Sequence, residues 1–296
     1  MRVGAVTGMR VEILGSGGAA TTPRPGCRCR VCVEAREHGV PYARTGPSVF
    51  VHGPDLLFDT PEEAKLQLDR AGIGHVAACF YSHWHPDHTM GRRVWETRNA
   101  DFRGWPREAK RLLVTDVYLP QQVAADFRER LGGMEHLEFM QGRGWVRVHE
   151  LADGDVVDVG GVRVRPFRLA EDYVYAFELV DGDGRRLLLA MDELNGWVPP
   201  EEARGCDLAV IPMGICEFDP FTGERRIHPE HPVLRYEATF EETLGIVEAL
   251  GAQRVVLSHV EEMDGLSHDD LQRLGTRLQA EGRPVTFAWD GLVAEV

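Results

Sequence analysis

A histidine-rich segment, residues 82–88, constrains this chain more than any other feature. Three imidazoles and one carboxylate lie within six positions, directly after an apolar run that is typical of a buried strand. Packing does not require such a density of histidines, whereas neutral imidazole is the commonest metal ligand in proteins. Two histidines in an extended loop can share one metal ion, and residues beyond a proline turn can face a second ion. The candidate ligands are His83, His85, Asp87 and His88.

Strand and helix patterns alternate in both halves of the 296-residue chain. The predicted strands are residues 10–14, 48–52, 56–59, 77–81, 146–149, 156–159, 162–165, 173–180, 186–190, 207–211, 254–257 and 285–288. The predicted helices are residues 62–71, 239–250 and 269–280. Hairpins in both halves favour two mixed sheets with helices outside them, an α/β architecture. No linker or repeat divides the chain, so we expect one domain over residues 1–296.

Net charge and hydropathy restrict the partners of the protein. There are 33 Lys and Arg against 47 Asp and Glu, which gives a net charge of −14. Such a field repels polyphosphates and anionic membranes, so extended nucleic acid and membranes are not expected partners. Residues 1–10 lack the apolar stretch of a signal peptide, and no run approaches the ~20 apolar residues of a membrane span. We therefore expect a cytoplasmic protein, and a homodimer remains open.

A second metal signal lies near the start of the chain. Cys27, Cys29 and Cys32 are too close together to staple a fold with disulfides. Their spacing indicates a metal site, but tetrahedral zinc takes four ligands, so three thiolates are incomplete. The alternative is a set of buried thiols without metal.

The histidine segment resembles the H-x-H-x-D-H motif of the metallo-β-lactamase-fold hydrolases, residue for residue. The resemblance extends from about Met9 to Val296, and it implies a four-layer αββα sandwich with two divalent ions, Mn, Zn or Fe, at one edge of the two sheets. It also implies that Asp59 orients the histidine loop, that Asp192 bridges the ions and that His259 is the last ligand.

Within this superfamily the chain is most similar to the cyclic phosphodiesterases that accompany carbon–phosphorus lyase, which share the cysteine trio. In those enzymes the trio holds a structural zinc together with a fourth ligand from the loop after the last histidine. The matching position here is Glu262, and His268 lies nearby in the sequence. Imidazole is the better zinc ligand, so both residues remain candidates.

One motif departs from the family. A histidine is expected about five residues after Pro166, yet no histidine lies between His149 and His228. Glu171 is the candidate oxygen ligand in its place, and the alternative is a hydrated turn that leaves the first ion with fewer protein ligands. An oxygen-richer ligand set favours Mn²⁺ or Fe²⁺ over zinc.

His228 and His231 form a further pair in a proline-punctuated loop. In the phosphodiesterases that the chain resembles, a histidine from this region faces the substrate without binding metal. It would either protonate the departing oxygen as a general acid or neutralise a phosphate. The alternative is that both histidines are exposed and have no function.

These features predict a metal-dependent hydrolase, in which two ions hold a bridging hydroxide that attacks the substrate, with Asp87 as a ligand and a catalytic residue. The leading substrate is a small or cyclic phosphodiester, because an acidic chain is poorly suited to a polynucleotide. A lactone or thioester hydrolase on the same metal pair remains open, since the motifs do not define the electrophile. The alternative outside catalysis is a metal-binding or carrier protein.

Overall fold

The computed structural model of the protein describes residues 8–101, 113–170 and 173–296. Two seven-stranded sheets lie at its centre. The strands are β1 (Arg10–Gly15), β2 (Ser48–His52), β3 (Leu56–Phe58), β4 (Ala78–Phe80), β5 (Thr115–Pro120), β6 (Val146–Leu151), β7 (Val157–Val159), β8 (Val162–Arg168), β9 (Tyr175–Val180), β10 (Arg186–Ala190), β11 (Leu208–Pro212), β12 (Arg254–Ser258), β13 (Val285–Phe287) and β14 (Leu292–Glu295). The helices are α1 (Arg30–His38), α2 (Ala64–Arg70), α3 (Pro86–Thr89), α4 (Val94–Asn99), α5 (Gln121–Glu129), α6 (Gly133–Gly142), α7 (Phe240–Leu250) and α8 (His268–Ala280).

Both sheets are mixed. The first has the order β14-β1-β2-β3-β4-β5-β6, and the second has the order β13-β12-β11-β10-β9-β8-β7. Strands β3 to β6 are parallel to one another, and so are β10 to β13. Because the carboxyl ends of parallel strands open onto the same edge of a sheet, the loops that follow them meet there.

The two sheets pack face to face through aromatic side chains. Phe58 and Phe80 of the first sheet lie against Phe177 of the second, with ring centres 5.1 Å and 5.7 Å apart. On the outer faces, helix α5 buries Phe127 against the first sheet, and helix α8 buries Leu271 beneath the second. Burial of apolar surface in these layers stabilises the fold. The predicted α/β sandwich is confirmed.

The two longest helices begin at capping boxes. Thr239 caps α7, in reciprocal hydrogen bonds with Glu242, at the start of the helix predicted over residues 239–250. Ser267 and Asp270 cap α8 in the same way. Within the described ranges, no helix combines the length and the apolar character needed to cross a membrane.

Candidate active site and metal centre

Four loops that follow parallel strands bring the candidate ligands together. Asp59 follows β3, and the histidine segment follows β4, both in the first sheet. Asp192 follows β10, and His259 follows β12, both in the second sheet. The candidate centre therefore lies where the edges of the two sheets meet.

Asp59 controls the protonation of two histidines. Its buried carboxylate accepts hydrogen bonds from the backbone N–H of Ser82 at 2.8 Å and from the Ser82 hydroxyl at 2.6 Å, and it lies 2.7 Å from Nδ1 of His88. Because Ser82 donates its only hydroxyl hydrogen to Asp59, its Oγ accepts from Nδ1 of His83 at 3.0 Å. Both rings then carry their proton on Nδ1 and present the lone pair of Nε2, which is the form that binds metal.

The Nε2 atoms of His83, His88 and His259 are buried, and none of them makes a hydrogen bond. They face carboxylates instead. Nε2 lies 3.2 Å from Asp192 Oδ2 in His83, 3.4 Å from Asp87 Oδ2 in His88 and 3.3 Å from Asp192 Oδ1 in His259. Buried nitrogens without partners are costly, and two adjacent divalent ions would satisfy all three.

The ligand atoms form two overlapping groups, each with its members within 4.8 Å of one another. One comprises His83, His88 and Asp192, and the other comprises Asp87, His88 and His259. His85 borders the first group, because its Nδ1 lies 3.8 Å from Asp192 Oδ2. This mixture of imidazole and carboxylate suits zinc, iron or manganese.

The charges of the cluster are interdependent. Burial, together with the neighbouring His88, lowers the pKa of His83 to about 4, so this ring is neutral at pH 7. Burial alone would raise the pKa of Asp192, but the charge of His259 holds it well below its ordinary value. Burial would likewise lower the pKa of His259, yet the facing Asp192 and Asp87 raise it well above the ordinary range. Without ions, the carboxylates are thus compensated by protons on histidine.

Sequence reasoning missed Glu261, which supports His259. Its Oε1 lies 3.7 Å from Nδ1 of His259, and its two oxygens accept the backbone N–H groups of Ala19 and Ala20. A Cβ atom at Gly18 would lie 2.1 Å from Oε1 of Glu261 and 2.7 Å from Nδ1 of His259. The glycine-rich turn after β1 is therefore part of the site, since only glycine permits this approach.

Backbone strain is concentrated around the ligands. Asp59, Glu193 and His259 have φ angles of 59°, 29° and 53°, which are uncommon for residues with a side chain. Asp59 and His259 come directly after strands β3 and β12. Glu193 follows Asp192, the candidate ligand after β10. Such conformations persist where the surrounding structure holds them, and they occur frequently at functional sites.

A second carboxyl pair, also missed from the sequence, borders the ligands. Glu193 accepts the backbone N–H of Ala238, and together with Glu237 it lines a small cavity beside Asp192 and His259. Burial and the hydrogen bond with Glu237 raise the pKa of Glu193 to about 9. Glu193 is therefore protonated at pH 7, and this carboxyl pair carries at most one negative charge.

The three thiols surround one carboxylate oxygen. Oε1 of Glu262 lies 2.9 Å from Sγ of Cys29, 2.9 Å from Sγ of Cys32 and 3.4 Å from Sγ of Cys27. The four residues form a third compact group of ligand atoms. Burial, together with Glu262, raises the pKa of Cys32 to about 12, whereas the N–H of Cys29 lowers the pKa of Cys27. Three sulfurs and one oxygen are a suitable tetrahedral set for zinc.

Other candidates from the sequence lie elsewhere. His268 is not in the thiol group, which corrects the expectation that it is the better fourth ligand: it begins α8, and its ring contacts Tyr42 and Trp289 at centre distances of 5.5 Å and 5.6 Å. His228 and His231 are exposed, and each accepts a nearby backbone N–H. Their role stays a prediction. Glu171 lies outside the described residues.

Comparison with known proteins agrees with this geometry. Residues 50–260 match the sequence model of the Beta-lactamase superfamily domain, and this range includes all six described candidate ligands of the metal centre. The chain belongs to the beta-lactamase superfamily. Its fold and its ligand loops are those expected for a metallo-β-lactamase-fold hydrolase.

The proteins to which this chain is similar have different named activities. Ribonuclease Z of Myxococcus xanthus (strain DK1622) is 26% identical, with 85% of this chain and 92% of that protein aligned. A diphosphatase from the PhnP family has a similar structure, with a TM-score of 0.70, 22% identity and coverage of 97% of this chain and 98% of its own. Zinc-bound PqqB from Methylobacterium extorquens has a TM-score of 0.67 and 18% identity, with 97% of this chain and all of that chain covered.

Proposed function

We propose that this hydrolase is a phosphodiesterase that acts on a small or cyclic phosphodiester. The observation that carries the proposal is the set of three buried Nε2 atoms that make no hydrogen bond and converge on the carboxylates of Asp87 and Asp192. Two ions held there would supply Lewis acidity and lower the pKa of a water molecule. Zinc, manganese and iron all suit this ligand set.

The residues of the chain have separable tasks in this proposal. His83, His85 and Asp192 would hold one ion, and Asp87, His88 and His259 would complete the site of the second. Asp59 keeps His83 and His88 in the metal-binding tautomer, directly or through Ser82. Burial of these side chains excludes water, which strengthens their electrostatic interaction with an anionic transition state.

The net charge of −14 supports a small substrate rather than a polynucleotide. A diester is compatible with the site, since positive ions would offset the charge on its non-bridging oxygens. In the same proposal, the thiol group with Glu262 holds a structural zinc. Hydrolysis of a lactone or thioester is an alternative outcome of the test, and so is metal binding without catalysis.

The test combines metal analysis with a substrate panel. Protein prepared with Mn²⁺, Fe²⁺ or Zn²⁺ is assayed on bis-p-nitrophenyl phosphate, cyclic nucleotides, lactones, thioesters and a precursor tRNA. We expect two ions besides a thiol-bound zinc, and turnover of the diesters that is lost in Asp192→Asn. A single zinc per chain without turnover would support a binding protein, and preferred cleavage of the tRNA would contradict the small-substrate proposal.

A further inference from the structure

An arginine lies on the aromatic ring next to the metal centre. The guanidinium carbon of Arg130 is 4.4 Å from the ring centre of Trp84, a cation–π distance. The indole of Trp84 in turn contacts the ring of His85 edge to face, with 4.7 Å between centres. One aromatic ring thus separates the positive charge from a candidate ligand.

The position of Arg130 is fixed relative to the ligands. Arg92 is buried and donates one hydrogen bond to the carbonyl of Leu131 at 2.8 Å and another to the carbonyl of Thr89 at 3.1 Å. The hydroxyl of Thr89 donates to the carbonyls of Trp84 and His85. Through these bonds, the turn after α5 is joined to the histidine segment.

The guanidinium remains available for a ligand. Its side chain is 47% exposed, and within the described residues its ion-pair partner is Asp126, at 3.8 Å from Nε, beyond hydrogen-bond distance. No described side chain accepts a hydrogen bond from its terminal nitrogens. A planar guanidinium held on a ring face is well suited to a bidentate oxyanion.

The arginine marks one side of the metal centre. Arg130 lies on the side of His85, whereas Glu193 and Glu237 lie beside Asp192. An anionic group of a substrate would be attracted to the guanidinium. Arg130 therefore orients a substrate that carries a second anion.

We infer that Arg130, stacked on Trp84, is a specificity-determining residue that binds a second oxyanion, a phosphate or a carboxylate, on an arm of the substrate away from the reacting diester. The inference rests on the proposed phosphodiesterase function and names its substrate class: diesters with an additional anionic group. Trp84 positions the guanidinium through its ring face.

The test uses three p-nitrophenyl phosphodiesters with arms of equal length that end in an amide, a carboxylate or a phosphate. In the metal-loaded protein, Arg130→Gln should raise KM for the anionic arms about tenfold and leave kcat and the amide diester unchanged. Arg130→Lys should recover part of the loss, because lysine keeps the positive charge but lacks the planar pair of N–H donors of the guanidinium. The anionic arm for which Arg130→Gln raises KM more shows whether Arg130 prefers a carboxylate or a phosphate.

Arg128→Gln is the matched control. Arg128 lies two residues earlier, in α5, is half exposed and pairs with Glu150, so its loss should leave all three substrates unaffected. Equal losses on the three arms, or the same effect in both variants, would overturn the inference. Calorimetric titration with pyrophosphate and orthophosphate gives a readout independent of turnover. Arg130→Gln should weaken the binding of pyrophosphate several-fold more than the binding of orthophosphate. If no diester is hydrolysed, the proposed function fails, while this titration still decides the role of Arg130.

Discussion

Nδ1 of His88 lies 2.7 Å from Oδ2 of Asp59, and both side chains are completely inaccessible to solvent. The same carboxylate accepts both hydrogens that Ser82 offers, and Ser82 in turn meets His83. A single carboxylate directly after β3 thus sets the tautomer of two imidazoles that follow β4. Orienting partners of this kind are important for affinity, since they fix both the ring and its basicity.

Asp59→Asn should lower affinity for the ions of the active site by about 10- to 100-fold, because an amide cannot accept all three hydrogen bonds. Metal titration monitored by elemental analysis measures the effect. Asp55→Asn is the control, since Asp55 shares the left-handed backbone conformation but pairs with the exposed His75. Unchanged affinity in Asp59→Asn would exclude this positioning role.

His83→Ala and Asp87→Ala should each reduce turnover by more than about 100-fold, a larger effect than loss of an orienting partner. His83 lies in the loop after β4 and Asp87 in the short helix α3, both outside the apolar layers, so we expect the fold to survive. Activity and circular dichroism are compared with those of His75→Ala, an exposed histidine. Normal turnover in either ligand variant would refute the two-metal mechanism.

Cys29→Ser should remove one zinc per chain and lower Tm by roughly 5–10 °C, because a structural ion contributes its binding energy to the folded state. Ions at the histidine centre should remain. Glu262→Gln should weaken the binding of the same zinc ion, whereas His268→Gln should not change the number of zinc ions per chain. An unaltered zinc content in Cys29→Ser would mean that the thiols are packing residues.

Glu171→Ala should lower metal occupancy and activity together, and Glu171→His should increase the preference for zinc. The reason is charge: as a ligand, Glu171 would add a third carboxylate to those of Asp87 and Asp192, and three carboxylates with one hydroxide would nearly neutralise two divalent ions and favour harder metals. Occupancy and metal preference are measured by competition between Mn²⁺ and Zn²⁺. Equal occupancy in the wild type and Glu171→Ala would show that Glu171 is not a ligand.

Asp270→Asn should lower the free energy of unfolding by about 1 kcal/mol at pH 7, after allowance for solvent screening. Burial alone would raise the pKa of Asp270, but Arg30 and the N–H of Ser267 lower it to about 2. Its stabilisation is therefore complete above the ordinary pKa of about 3.9 and is lost as the pH falls towards 2. In denaturant unfolding, the free energies of unfolding of the wild type and Asp270→Asn should converge as the pH is lowered from 7 to 3. Substitution of the exposed Asp269 by Asn should change the free energy of unfolding little at any pH.

Local patterns predicted much of the fold. The strands that carry Asp59, Asp192 and His259 have clear apolar runs, and the capping box at Thr239 marks the start of α7. Helix α1 was not predicted, because it buries only Val31, Cys32 and Ala35 and its pattern is dominated by charged residues. Strand β5 and helices α5 and α6 fall in a stretch whose mixed pattern assigned no element.

Long-range contacts were inaccessible to sequence reasoning. Glu261 reaches the backbone of Ala19, 242 positions earlier, and nothing in either local pattern indicates the contact. The stacking of Arg130 on Trp84 likewise depends on how a turn after α5 folds back. The choice between Glu262 and His268 could not be made from ligand chemistry alone, because the path of the loop decides which side chain meets the thiols.

The position of the metal centre between two sheets has a mechanical consequence. His83 belongs to one sheet and Asp192 to the other, so their 3.2 Å separation measures how the sheets are aligned. The phenylalanine layer between the sheets sets this alignment. These phenylalanines, which do not touch a substrate, are therefore determinants of coordination geometry. A change of volume in their layer is transmitted to the ligands as a shift of one whole sheet against the other.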